Sequence, residues 1–190
     1  NNSHLFFERN KMAKYPVNRS ETRRERYLKK MVEANQSNFA PVCINFAFEE
    51  NIAFVIRSAA CFGAKEVIVI GALPSNADLK RLSGGTNEYC NIISFENTSL
   101  FLDYVRTRNA SIVSAELCDE ATNVYDFKFN TSPNHMTYLV SGHEQIGVPT
   151  EILKHSSPVF IPMPGAGFCL NTSQTSSIMM FEYMRQKNAQ

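Results

Sequence analysis

Three stretches of this 190-residue chain carry residue types and punctuation that point to chemistry rather than to core. The first runs Asn51-Ile52-Ala53-Phe54-Val55-Ile56-Arg57-Ser58-Ala59-Ala60-Cys61-Phe62-Gly63-Ala64 and reads as a helix. Arg57 falls about one and a half turns beyond Asn51 in a strongly apolar setting. A buried guanidinium without a partner is very costly. Either a carboxylate from a neighbouring loop pairs with it, or it is aimed at a phosphate or ribose oxygen.

The second stretch, Tyr138-Leu139-Val140-Ser141-Gly142-His143-Glu144-Gln145-Ile146-Gly147-Val148-Pro149, is an apolar strand running into a loop framed by two glycines. In open α/β sheets ligands sit beyond the carboxyl ends of strands, where glycine lets backbone and ligand approach closely. Glu144 at that edge is a candidate partner for Arg57. His143 is either a general base or a solvent-facing loop residue. The third stretch, from Val159 to Ser173, holds Pro162, Pro164, Gly165 and Gly167 within a few residues and fixes an unusual backbone path. Asn171 or Ser173 then caps a helix carrying Ile178, Met179, Met180, Phe181, Tyr183 and Met184. That helix is apolar over more than one face, which suits either burial against its own domain and a second subunit or a purely internal core helix.

The elements that must position these stretches alternate in type. Apolar runs at Pro41–Phe46, Val67–Ile70, Cys90–Phe95, Ser111–Ala115, Thr137–Ser141 and Pro158–Ile161 read as strands. Helices are expected over 51–62, 75–82, 98–108, 149–155 and 172–187. Continuous apolar strands separated by helices predict an α/β domain, a Rossmann-like parallel sheet covered on both faces. The length suits one such domain over residues 37–190, preceded by an arm over residues 1–36. Within the arm, residues 20–35 read as a helix with Ser20 as its N-cap and Tyr27, Leu28, Met31 and Val32 as an apolar stripe.

The formal net charge is only +1, but the arm holds nine Lys or Arg against four Glu. Arg23, Arg24, Arg26, Lys29 and Lys30 are its candidate RNA contacts; the alternative is a solvated helix of mixed charge. The five cysteines never form a C-x-x-C pair, so neither a disulfide framework nor a zinc site is expected, and no metal is invoked. No apolar run approaches the roughly 20 residues of a membrane span, and no signal-peptide core leads the chain. A soluble, cytoplasmic protein is expected.

Taken in order, the three stretches resemble the motifs of the SpoU (TrmH-like) family of SPOUT-superfamily RNA 2′-O-ribose methyltransferases. The first has the family's Asn-x-x-x-x-x-Arg-x-Ala-x-x-Phe-Gly shape and the second its Gly-Asn-Glu-x-x-Gly loop. The third has Ile-Pro-Met, then Leu-Asn-x-Ser, then a helix with Glu182-Tyr183 near its end. Arg81-Leu82-Ser83-Gly84-Gly85-Thr86 is similar to the family's Ser-x-Gly-Ala segment.

The resemblance implies a sheet whose C-terminal part is threaded as a deep trefoil knot, a homodimer formed through the knot and the last helix, and tRNA or rRNA as substrate. It implies that S-adenosylmethionine binds near Gly142, Ile161, Met163, Cys169 and Leu170, with Ser114, Ala115 and Glu116 lining its adenosine side. It also implies catalytic placement for Arg57, Asn51, Glu144, Asn171 and Ser173. Two positions depart from the family: Ala53 replaces a frequent Gly, and His143 stands where Asn is usual. They support a second reading, a catalytically impaired relative that holds RNA or cofactor as a scaffold. A nucleotide-binding oxidoreductase is disfavoured, because the turn Phe46-Ala47-Phe48-Glu49-Glu50-Asn51 lacks the glycines of a phosphate cradle.

Overall fold

The computed structural model describes residues 20–33, 36–167 and 169–189. These divide into two units between positions 34 and 35. The first contains helix α1 (Arg23–Glu33). Its N-terminus is set by Thr22 rather than Ser20: the Glu25 N–H donates to the Thr22 hydroxyl, and the Glu25 carboxylate accepts from the Thr22 N–H and hydroxyl. That reciprocal pair is a capping box, which a Ser two positions earlier cannot form with Glu25. Arg23, Arg24, Arg26, Lys29 and Lys30 are all exposed. Arg9, Lys11, Lys14 and Arg19 lie outside the described residues, as do the side chains of Tyr27, Met31 and Val32.

The second unit is a seven-stranded sheet. Its strands are β1 (Phe39–Ile44), β2 (Val67–Ile70), β3 (Ile92–Phe95), β4 (Ala110–Ala115), β5 (Thr122–Asn123), β6 (Met136–Ser141) and β7 (Ser157–Phe160). Their order is β3-β2-β1-β6-β4-β7-β5, and every pairing is parallel. The helices are α2 (Glu49–Phe62), α3 (Asn76–Ser83), α4 (Thr98–Arg106), α5 (Thr150–Leu153) and α6 (Thr172–Asn188).

Period-two alternation divides the sheet's side chains between two cores. From β1, Phe39 and Cys43 enter a cluster with Ile52, Val55, Ile56 and Ala59 of α2 and Met179, Met180 and Tyr183 of α6. Ala40, Val42 and Ile44 enter the other, with Phe101, Leu102 and Val105 of α4 and Ile152 of α5. β1 begins two residues before the expected start at Pro41. Proline lacks only its own N–H, so Phe39 and Ala40 still pair with β6. The sheet therefore brings the ends of β4, β6 and β7 side by side at one carboxyl edge.

Candidate active site

A cavity of about 480 Å³ opens at that edge. Ala115, Glu116 and Leu117 line it after β4, Ser141 to Gln145 and Gly147 after β6, and Phe160, Ile161 and Met163 after β7. Cys169, Leu170, Asn171, Thr172 and Thr175 close it from the segment entering α6. Seven of the eight residues expected to hold the cofactor line this one cavity: Ala115, Glu116, Gly142, Ile161, Met163, Cys169 and Leu170. Ser114 does not. It is fully buried within the sheet, and its hydroxyl meets that of Ser156 at 2.7 Å. The β pleat turns alternate side chains to opposite faces, and Ser114 falls on the covered one. Phe168 lies outside the described residues.

The loop after β6 is shaped by what glycine permits. A Cβ on Gly142 would sit 2.2 Å from the carbonyl carbon of Gly147 and 2.4 Å from the Val148 nitrogen. His143 and Gly147 exchange backbone hydrogen bonds of 3.1 and 3.0 Å across this approach. Glu116 braces the loop from β4 by accepting the Val148 N–H at 2.7 Å, and the Thr172 hydroxyl donates to the Gly142 carbonyl at 2.9 Å. His143 Nδ1 accepts the Gln145 N–H at 3.0 Å.

Glu144 leads into a continuous polar chain. Its carboxylate accepts the Ala47 N–H at 2.8 Å and the Asn51 side-chain amide at 2.6 Å. The Asn51 oxygen accepts from the Asn171 amide at 3.0 Å, and the Asn171 oxygen accepts the Ser173 N–H at 2.9 Å and its hydroxyl at 2.6 Å. Asn171 is thus the N-cap of α6. The Ser177 hydroxyl continues the chain, donating to the Ser173 carbonyl and meeting the Ser58 hydroxyl at 2.8 Å. Burial works against the charge of Glu144, but bonds from the Ala47 N–H, the Asn51 amide and its own N–H outweigh it, with His143 adding to them. The carboxyl is held below its ordinary value. Behind it, burial first and the Glu144 charge second push the Cys43 thiol far up.

Four of the five residues expected to be catalytic, Asn51, Glu144, Asn171 and Ser173, are therefore joined by direct hydrogen bonds. Arg57 is not. It is exposed, and among the described residues no hydrogen bond or ion pair links it to Glu144. The core-facing side of α2 is taken by Ile52, Ala53, Val55, Ile56 and Ala59, so Phe54, Arg57 and Cys61 face outward. Two participants were not anticipated. The Ala47 N–H is a backbone donor with no signature in residue type, and Thr172 followed the more conspicuous Asn171.

The arrangement can bind an elongated ligand along backbone exposed by Gly142. It also presents a fixed row of amide and hydroxyl groups at the cavity's edge.

Comparison with known proteins gives this geometry a context. The model of the SpoU rRNA Methylase family matches residues 39–181. A tRNA (guanosine(18)-2'-O)-methyltransferase of Aquifex aeolicus is 26% identical over 167 residues, covering 87% of this chain and 77% of that protein. The crystal structure of the A. aeolicus TrmH/SpoU tRNA modifying enzyme superposes with a TM-score of 0.74 at 25% identity, over 87% of this chain and 84% of that one. An AdoMet bound rRNA methyltransferase from Sinorhizobium meliloti shares the fold, with a TM-score of 0.71 at 23% identity, and 80% of this chain spans 57% of it.

Proposed function

The chain belongs to the SpoU rRNA methylase family, and from that premise we propose that it is an S-adenosylmethionine-dependent methyltransferase acting on a ribose 2′-hydroxyl of tRNA or rRNA. The observation that carries this reading is the junction of the cavity with the Glu144–Asn51–Asn171–Ser173 chain.

The residues present fit the cofactor. Ile161 and Leu170 offer apolar surface, and the loop from Ser141 to Gly147 offers backbone groups. The Glu116 carboxylate, although it already receives the Leu117 and Val148 N–H groups, keeps lone pairs for ribose hydroxyls. When bound, S-adenosylmethionine supplies a methyl group on a sulfonium sulfur that keeps the electron pair of the broken C–S bond. As the ribose oxygen forms the new C–O bond its proton would pass to solvent water, so the protein must align the hydroxyl and stabilise the negative charge that develops as the proton departs. We assign the charge stabilisation to Arg57, which is exposed and able to take a phosphate beside the reacting ribose. Glu144 holds Asn51 rather than Arg57, and Asn51, Asn171 and Ser173 form the frame that orients the site.

Both departures from the family are accommodated. The Ala53 side chain is wholly buried in the core, away from the cavity. The bond from the Gln145 N–H to His143 Nδ1 reproduces the i to i+2 bond that an Asn side chain makes in such a turn. These observations support an active enzyme over a scaffold.

The proposal extends to the chain's threading and assembly. The chain leaves β7 at Phe160, and beyond it Thr172 bonds Gly142 at the end of β6 and Asn171 bonds Asn51 of α2. That return path supports a knotted C-terminal segment. α2 and α6 lie side by side, with Ser58 against Ser177 and Phe62 against Phe181, and they expose Phe54, Ile178 and Phe181. That apolar ridge supports a homodimer through α6. Five free cysteines support a reducing, cytoplasmic setting, and among the described residues no helix is long and apolar enough to cross a membrane.

The test is transfer of a labelled methyl group from S-adenosylmethionine to unmodified tRNA and rRNA, followed by mapping of 2′-O-methyl positions. Cofactor binding without transfer would favour the scaffold reading, and absence of cofactor binding would end the enzyme assignment.

A further inference from the structure

Phe48 is the N-cap of α2 and is 58% exposed, although the backbone that carries it is held firmly beside the cavity. The turn that presents it is built at both ends. Asn45 adopts a left-handed conformation with φ of 47° and donates its N–H to the Ile70 carbonyl at 2.9 Å. Gly71 opposite it has a φ of 98°, which favours glycine there, and the Asn45 side-chain oxygen occupies the space beside it. At the other end the Ala47 N–H donates to Glu144, and the Phe48 carbonyl accepts the Asn51 N–H at 3.1 Å. A non-glycine residue at positive φ stores strain, and such strain collects where a backbone must present something in a fixed pose.

The neighbouring charges restrict what this ring can receive. Glu49 and Glu50 follow directly and are both exposed. They repel phosphate, whereas the face of a nucleobase is uncharged and stacks on an aromatic ring. Phe48 also sits one residue from Ala47, whose N–H reaches Glu144 in the lining of the cavity.

We propose that Phe48 is the stacking platform for an RNA base unstacked from its strand beside the reacting ribose. This rests on the methyltransferase reading. Phe48 fixes the register of the target nucleotide and takes no part in the chemistry, so its loss acts on RNA recognition.

The experiment measures KM for RNA, kcat and cofactor affinity for the unaltered protein and for Phe48→Ala, Phe48→Leu and Phe48→Tyr, with unmodified tRNA and rRNA transcripts as probes. Loss of one base–aromatic stack raises KM for RNA by roughly tenfold in the Ala and Leu variants, while cofactor affinity and kcat stay within about twofold and Tyr restores KM. Unchanged KM in Phe48→Ala overturns the proposal. So does full function in Phe48→Leu, which would make the ring a mere apolar cover, or a change of oligomeric state in Phe48→Ala, which would make it a subunit contact. If the unaltered protein methylates none of these RNAs, the methyltransferase reading fails first and the platform with it.

Discussion

The side-chain amide of Asn171 donates to the side-chain oxygen of Asn51 at 3.0 Å, tying the start of α6 to the first turns of α2. Each asparagine is used as donor and acceptor at once: Asn51 gives its amide to Glu144, and Asn171 takes the N–H and hydroxyl of Ser173 on its oxygen. The polarity of the whole chain is thereby fixed, because Glu144 can only accept.

Asn51→Asp tests that polarity with an almost isosteric change. The new carboxylate would face Glu144 at the 2.6 Å now spanned by a hydrogen bond, replacing attraction with like-charge repulsion. Asn51→Asp is expected to lose about 1–3 kcal/mol of stability and most methyl transfer, with Asn51→Ala milder in stability. Thermal unfolding of the two variants checks the ordering, and equal stability would show that the charge at Glu144 is not engaged there.

Glu144→Gln gives a pH signature. The folded pKa of Glu144 is depressed below its ordinary 4.5, so its stabilising contribution is complete above that value and lost as pH falls through the lower, folded pKa. At neutral pH the unaltered protein should be the more stable by about 1 kcal/mol, since Gln loses one of the two acceptors. The gap should hold down to the ordinary carboxylate range and close only below it. Unfolding midpoints of both proteins across acidic pH decide this; a gap that closes at neutral pH would contradict the depressed value.

Much of the fold was legible because parallel strands buried on both faces read as plain apolar runs, and six of the seven were found with shifts of one or two residues or none. β1 was displaced by two residues because Pro41 suggested a boundary, and only β5 was missed, because Thr122–Asn123 is too short to show any period. In the site, the glycines and Asn171 stood out as punctuation. The pairing of Arg57 with Glu144 failed on helix geometry: six residues at about 100° each leave Arg57 about 120° round α2 from Asn51, which holds Glu144 instead.

Gly142→Ala isolates the close approach of the loop. The added methyl would meet the Gly147 backbone at 2.2 Å, and no flexible side-chain tip is available to yield. The loop between His143 and Val148 must then open, taking the cavity wall with it. Calorimetric titration with S-adenosylmethionine is expected to show affinity reduced by at least about tenfold, consistent with a cost of 1–3 kcal/mol for overpacking. Unimpaired binding would mean that the loop is more compliant than its bonds to Glu116 and Thr172 suggest.

Removal of residues 1–36 tests the basic arm. Each phosphate contact made by its Lys and Arg residues contributes about 0.7 to 0.9 of a unit to the slope of log affinity against log salt. The shortened chain should bind RNA more weakly and with a flatter salt dependence, while cofactor affinity holds. An unchanged slope would make α1 a solvated helix only.

The last prediction concerns Arg57, whose loss should abolish transfer without abolishing cofactor binding. Arg57 is exposed on the outward side of α2 and contributes nothing to the lining of the cavity, so cofactor affinity should survive in Arg57→Ala. Transfer should fall steeply, because the attacking oxygen gains negative charge as its proton passes to solvent, and a fixed cation beside it stabilises that charge. Arg57→Lys keeps the charge but loses the planar fork that grips a phosphate through two parallel bonds, so it should recover little of the rate. Phe54 and Cys61 share this exposed side of α2, and Phe54 lies on the ridge assigned to dimer formation, so each variant must also be checked for its oligomeric state. A variant that keeps the oligomeric state of the unaltered protein and binds cofactor but falls by about 100-fold or more in single-turnover transfer locates Arg57 in the chemical step. Near-normal transfer in Arg57→Ala would remove it from the mechanism, and a change of oligomeric state accompanying the loss of rate would make it an assembly residue.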